Sequence, residues 1–243
     1  MQSLRSLVAD AESRSVLPPG DDERFTGYAV MSVPFDSGHV LGLRRFIVTS
    51  IGPSYTSVWH RDPSGYWTIY TTVDATLSCP RYFGSAISAT SVHRIDITWT
   101  ADFRFTVSIA DALELTWNVS VAATPMTRLM STAMTMVPEA GWHNASFLKA
   151  MGKAAGPSLR AGRMGLTGST PNRQVFRAGP KKIWAVDDSI AVLNGTNLGR
   201  IRPLAEQTRL GDFWMPQRGI FMLGSATFEP FDPARHLAAT TTA

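Results

Sequence analysis

Ile95-Asp96-Ile97-Thr98-Trp99 and Phe103-Arg104-Phe105-Thr106-Val107 alternate large apolar and polar residues, with Ala101-Asp102 between them. A period of two over two such runs puts the apolar side chains of each on one face, and the short connection folds them into a hairpin. The same chemistry extends outward in both directions. Asp62-Pro63-Ser64-Gly65 carries Asp, Pro and Gly at the positions a type I turn favours, so Thr56 to Arg61 should pair antiparallel with Tyr66 to Thr72. Strands are expected near 26–34, 39–50, 54–61, 66–74, 91–100, 103–109 and 113–122.

At Thr124-Pro125 the period changes. Thr is a good N-cap and Pro suits the first helical position, and Met126, Leu129, Met130, Ala133, Met134 and Val137 then follow helical spacing until Pro138. A second helix is expected from about Ser146 to Gly162, making a helical hairpin at about 125–161. Strand patterning resumes at 163–169, 174–177, 181–186 and 190–194, with Asn194-Gly195 as a tight turn. A loop from Gly199 to Gly211 leads to 213–215 and 220–228. The expected organisation is an N-terminal helix or tail over 1–24, a β-barrel domain over 25–232, and a disordered tail over 233–243. The fold class is mainly β, a calycin- or lipocalin-like barrel or two half-barrels around a central helical hairpin.

Composition narrows the function. With 44% hydrophobic residues, 12 Phe, 7 Trp and 10 Met in 243 residues, the chain can bury a large core or line a cavity. The formal charge of +4 arises from 19 Arg and 4 Lys that are scattered singly or in pairs, and no nucleic-acid-binding signature accompanies them. Cys79 is the only cysteine, which excludes an internal disulfide framework and a cysteine-rich zinc site. No secretory h-region and no run of about 20 apolar residues occurs, so the expectation is a cytoplasmic protein without a membrane span. Nucleotide loops, H-E-x-x-H and G-x-S-x-G are absent, and neither metal nor cofactor is expected. Schiff-base chemistry of the acetoacetate-decarboxylase type needs a lysine in an apolar pocket, yet no lysine precedes Lys149, and all four lie in predicted helices or beside Pro180.

Several segments carry polar chemistry that an apolar pocket would need. His60 and Asp62 are two apart on a strand, an imidazole that a carboxylate can orient for acid-base work, although Asp62 also has its task in the turn. His39 could join His60 on a neighbouring strand, with Arg44 and Arg45 following. In Ser78-Cys79-Pro80-Arg81-Tyr82-Phe83-Gly84, Tyr82 could donate to a developing oxyanion and Arg81 could orient an acidic group, while Cys79 is either a nucleophile or an inert buried thiol. Asp212, Trp214 and Arg218 lie in a loop suited to a pocket mouth, or Asp212 and Arg218 pair with each other. Met130 and Met134 belong to a concentration of methionines that either packs the core or moulds to apolar ligands.

The Trp59-His60 segment and Leu115-Thr116-Trp117-Asn118-Val119-Ser120-Val121 give the chain a layout, over Thr26 to Phe231, that resembles the lipocalin-like carotenoid 1,2-hydratase (hydroxyneurosporene synthase) group. It is similar in layout also to uncharacterised actinobacterial proteins of this length. The resemblance implies a calycin-type double barrel holding a terpenoid, polyketide or fatty-acyl compound, with acid-base residues that add water, isomerise or promote cyclisation. Members are generally longer, and none of their catalytic residues maps here position by position. The function expected is therefore cofactor-independent acid-base chemistry on an apolar small molecule, with His60, Tyr82 and Asp62 as catalytic candidates. Arg44, Arg81, His39, Met130, Met134, Asp212, Trp214 and Arg218 are the candidates for holding the ligand. The alternatives are a non-catalytic carrier or sensor of the same ligand class and a structural partner subunit. The sequence carries no signal for an oligomeric state.

Overall fold

A computed structural model describes residues 3–238. Helix α1 (Leu4–Arg14), capped by the Ser3 hydroxyl, precedes an antiparallel run of β1 (Glu23–Pro34), β2 (Val40–Thr49), β3 (Tyr55–Arg61) and β4 (Trp67–Thr71). Two 3-10 turns, Ala75–Leu77 and Gly84–Ala86, flank the short α2 (Pro80–Phe83) and lead to β5 (Ala89–Val92), which returns parallel to β4. A second meander follows: β6 (Asp96–Ala101), β7 (Arg104–Ala110) and β8 (Glu114–Ala122). Then come α3 (Pro125–Thr135), α4 (Glu139–His143), α5 (Ala145–Leu159), β9 (Thr167–Ser169), β10 (Val175–Leu193), β11 (Thr196–Asn197), β12 (Arg209–Leu210), β13 (Phe213–Trp214) and β14 (Ile220–Phe228).

Both expected hairpins are present, with Ser57 opposite Thr71 in β3–β4 and Ile97 opposite Val107 in β6–β7. The main strands form one curled half-barrel sheet in the order β5-β4-β3-β2-β1-β14-β10-β8-β7-β6. It is a single continuous sheet rather than two. The chain's last strand sits in its middle, so the order differs from that of an up-and-down meander.

The concave face holds the largest core. Tyr28, Leu43 and Val58 from one wing meet Phe105, Trp117 and Trp184 from the other, and Leu4 and Val8 of α1 close the cleft between the wings. Arg45 fixes the helix there through two 3.0 Å bonds to Glu12. On the opposite face Phe25, Trp59 and Phe228 pack beneath Cys79, Tyr82 and Phe83 of the segment around α2, and beneath Leu210 and Met215.

Strand β10 departs from expectation. Pro180 and the exposed Asp187-Asp188 pair read as breaks between three short strands, yet the strand runs unbroken for 19 residues, with register shifts at Pro180/Lys182 and Val186/Asp188. A bulge accommodates a residue without an N–H and turns a charged pair outward, so neither feature ends the strand. On one edge β10 pairs with β14; on the other, β9 covers residues 175–177 and β8 covers 185–193. The stretch between is capped by the helical insertion. The Ser131 hydroxyl of α3 accepts from the Ile183 amide at 3.0 Å, and Ala178 donates to the Leu166 carbonyl at 2.7 Å.

The insertion begins as expected, with Thr124 as N-cap and Pro125 in the first turn, but its connector contains α4, and α5 starts at Ala145 on an Asn144 cap. The C-terminal segment differs as well. His236 is buried and bonds the Glu229 carboxylate at 2.8 Å, and Leu237 donates to Asn172, so residues 233–238 are docked on the sheet. The rest of the expected tail, 239–243, lies outside the described residues.

The bend of the sheet passes through glycine. Gly27 of β1 pairs with Gly224 of β14, which in turn pairs with Pro180 of β10. A Cβ on Gly27 would fall on the Arg45 carbonyl, and one on Gly224 on the Gly179 carbonyl. Backbone cannot retreat as a side-chain tip can, so Gly27→Ala should lower stability by about 2–4 kcal/mol. Urea unfolding of the variant beside the native chain measures this.

Candidate functional site

Trp59 and His60 are neighbours on β3 and therefore face opposite ways. Trp59 looks into the face covered by α2, whereas His60 shares the side of Val58. The apolar space of the protein lies on Trp59's side. An inner cavity of about 70 Å³ is floored by Gly27 and Gly224 and walled by Arg44, Tyr55, Trp59, Cys79, Tyr82 and Phe228. An outer cavity of about 440 Å³ lies under the helical insertion, lined by Met130, Met134, Met151, Met164, Leu159 and Ile183 among others. Met31, Ala178, Phe213 and Met222 line both, so the two adjoin. The outer one alone falls within the size range of small-molecule pockets, roughly 300–1,000 Å³.

Arg44 is the only charged residue lining either cavity among the described residues. It is 4% exposed. Its Nη1 donates to the carbonyls of Val30 (2.7 Å) and Leu43 (2.9 Å) and its Nη2 to that of Met31 (3.2 Å). Its guanidinium lies 4.8 Å from the Trp59 ring centroid and 5.7 Å from that of Phe213. Burial lowers its pKa to about 10, still well above neutrality, so it remains a cation in the apolar wall. Beside it the Cys79 thiol lies 3.3 Å from the Ser57 hydroxyl and 3.5 Å from that of Tyr55. Burial, followed by the neighbouring Cys79, pushes the Tyr55 phenol well above its ordinary range, so it is a neutral donor.

The structure brings together some of the expected residues and separates others. Arg44, Tyr82, Met130, Met134 and Trp214 line the adjoining cavities. Tyr82 presents only its ring, stacked on Phe228 at 3.8 Å, because its hydroxyl donates to Glu23 at 2.6 Å. Arg81 is likewise held by Glu23 through a two-point pair, at 2.6 and 3.2 Å, and lines neither cavity. Burial raises the Glu23 pKa, but the hydrogen bonds of Arg81 and Tyr82 outweigh it, and the carboxyl sits below its ordinary value. The oxyanion and ligand-orienting roles expected of Tyr82 and Arg81 are thus displaced by a structural cluster that fastens α2 to β1.

Asp62 does not orient His60: its carboxylate accepts from the Tyr66 amide at 2.9 Å, completing the turn. His60 instead meets His39, Nε2 to Nδ1 at 2.9 Å, with the rings nearly parallel. The two histidines do cluster, but neither lines the cavities, so the acid-base role expected of His60 lacks access to a ligand there. Asp212 accepts from the Ser169 amide at 3.0 Å, clasping β9 to its loop, and does not pair with Arg218. Arg218 lines neither cavity. Trp214 stands at the outer end, between Arg163 and Arg209 at 5.0 and 5.2 Å. Sequence reasoning missed Tyr55, Phe213 and the glycine floor; their signal is the alternation of β1 and β3 around Gly27 and Trp59.

No family model matches the chain, and no curated protein matches it. Among solved structures the chain is similar to acetoacetate decarboxylase from Legionella pneumophila subsp. pneumophila str. Philadelphia 1, at 9% identity and a TM-score of 0.38, over 93% of this chain and 90% of that one. A likeness this distant carries no argument about chemistry. None of the four lysines lines either cavity, and among the described residues no helix is long and apolar enough to cross a membrane.

His60, 8% exposed, has its pKa lowered to about 4 by burial and then by the adjacent His39. Above its ordinary value near 6.5 the ring is neutral in both folded and unfolded chains. Between pH 6.5 and 4 the unfolded chain takes up a proton that the folded one refuses, so stability is full above 6.5 and is lost as pH falls through this window. His60→Gln should remove about 2–3 kcal/mol of this acid-side loss. Urea midpoints of the native chain and the variant at pH 7.5 and 4.5 give the comparison.

Proposed function

We propose that this chain binds an apolar small molecule in the adjoining cavities. The observation that carries this reading is their adjacency: a methionine-rich outer space and an aromatic inner one containing a single charge share Met31, Ala178, Phe213 and Met222 in their walls. Methionine is flexible and polarizable, so the outer wall can mould to terpenoid, polyketide or fatty-acyl bodies, including the terpenoids implied by the resemblance to carotenoid hydratases. The wall carries little else that would suit a sugar or a nucleotide.

The polar groups at the inner end are the Arg44 guanidinium, the neutral Tyr55 phenol, the Cys79 thiol and the Ser225 hydroxyl. Neither a carboxylate nor an imidazole lines the space to act as a general base, and Glu23 is engaged by Arg81, Tyr82 and Gln174. This composition favours a carrier or sensor over a hydratase or isomerase. Any turnover would have to use Tyr55, Cys79 or Ser225, which line the inner cavity among the described residues.

Nile red, a neutral lipophilic dye, should bind with a rise in fluorescence. Ala155 is a small residue in the lining of the outer cavity, so Ala155→Phe should take up part of that space. The variant should keep its thermal midpoint and weaken dye binding by about tenfold. A dye that fails to bind the native chain, or that binds both proteins equally, overturns the reading.

A further inference from the structure

Arg44 is unlike the other arginines held in the fold. Arg45 has Glu12 at 3.0 Å, Arg81 has Glu23 at 2.6 Å and Arg177 has Asp22 at 3.1 Å, yet each of these is more exposed than Arg44. Arg44 has no carboxylate within ion-pair distance among the described residues. A buried cation without a counter-charge is costly, and dipoles alone offset it only in part. The three carbonyls it satisfies belong to Leu43 and to the β1 bulge at Val30 and Met31, where the register against β2 shifts. That task uses three of the five guanidinium N–H groups. Among the described residues, one on Nε and one on Nη2 have no acceptor, and Nε and Nη2 are a pair of nitrogens that a carboxylate can bridge.

The surroundings point the same way. Among the described residues, those that share the inner cavity with Arg44 include the neutral donor Tyr55 and no carboxylate. The inner space is small, about 70 Å³, with room for a polar head group and not for a ligand's whole body. The larger apolar space begins directly beyond it.

We propose that the ligand is an amphipathic carboxylic acid, its carboxylate paired with Arg44 at the inner end and its apolar body lying in the methionine-lined outer cavity. The proposal rests on the binding function argued above and adds the class and orientation of the ligand. The bound acid would supply the counter-charge that the protein itself withholds, and Trp59 and Phe213, which face the guanidinium, would exclude water from the pair.

The test is displacement of Nile red from the native protein at pH 7.5, after passage over a hydrophobic resin, by two matched pairs: octanoate against 1-octanol, and geranate against geraniol. Each acid should displace the dye at a concentration about 30-fold lower than its alcohol, the ratio expected when hydrogen bonds to a charged partner are gained. Arg44→Met should abolish that ratio while Nile red still binds, and Arg44→Lys should restore part of it. Should acid and alcohol compete equally in the native protein, Arg44 is a staple for the β1 bulge and the proposal falls, although the cavity reading stands. Should the dye and both alcohols fail to bind, the reading on which the proposal rests falls with it. The acid-to-alcohol ratio in the native chain decides the matter even if Arg44→Met does not fold.

Discussion

Strand β10 is longer than any partner available to it on one edge, and the rest of the molecule is arranged around that deficit. Residues 178–184 have β14 on one side and no strand on the other. Backbone donors and acceptors in an apolar setting must be satisfied, because each orphan costs roughly as much as a lost hydrogen bond. Here α3 meets the need with one hydroxyl, Ser131 bonding both the amide and the carbonyl of Ile183. A helix laid against a strand edge cannot pack as closely as another strand would. The space left beneath it is the outer cavity, bounded by α3, α5 and the uncovered part of β10.

The sheet's two faces are covered differently. The concave face is filled by side chains from both wings, and α1 packs against it through Leu4 and Val8. The opposite face is covered by short segments, α2, β13 and the helical insertion, none of which extends across it. Gly27 and Gly224 contribute no side chain where strands β1 and β14 bend, so the cover stands over a shallow hollow. The same glycines that let the backbones approach thereby leave room for the inner cavity.

Local chemistry was the part of this fold legible from the sequence. The Asp62-Pro63-Ser64-Gly65 turn, the alternation of β6 and β7, and the Thr124-Pro125 helix start each depend on residues within a few positions of one another. Where the deciding partner is distant the pattern misleads. Arg81 and Tyr82 look free until Glu23, 58 and 59 residues away, takes both. Asp62 and His60 look paired until the turn claims the first and His39 the second. Pro180 looks like a strand end until Gly224 across the sheet provides a bulge to hold it. Arg44 was visible as a candidate, but its importance comes from what is missing around it, and a missing counter-charge has no signature along the chain.

An unpaired guanidinium and an open apolar space are each destabilising, the first by desolvation and the second by contacts forgone. A chain selected for stability alone would replace Arg44 with an apolar residue and fill the outer cavity with larger ones than Ala150, Ala154 and Ala155. The two spaces adjoin, and in the complex proposed above a single occupant with a charged end and an oily body would relieve both liabilities. Binding of that kind stabilises the folded state by mass action, in proportion to the logarithm of ligand concentration over Kd. On the reading proposed above, an occupant with a charged end beside Arg44 and an apolar body beneath α3 would stabilise the fold in this way.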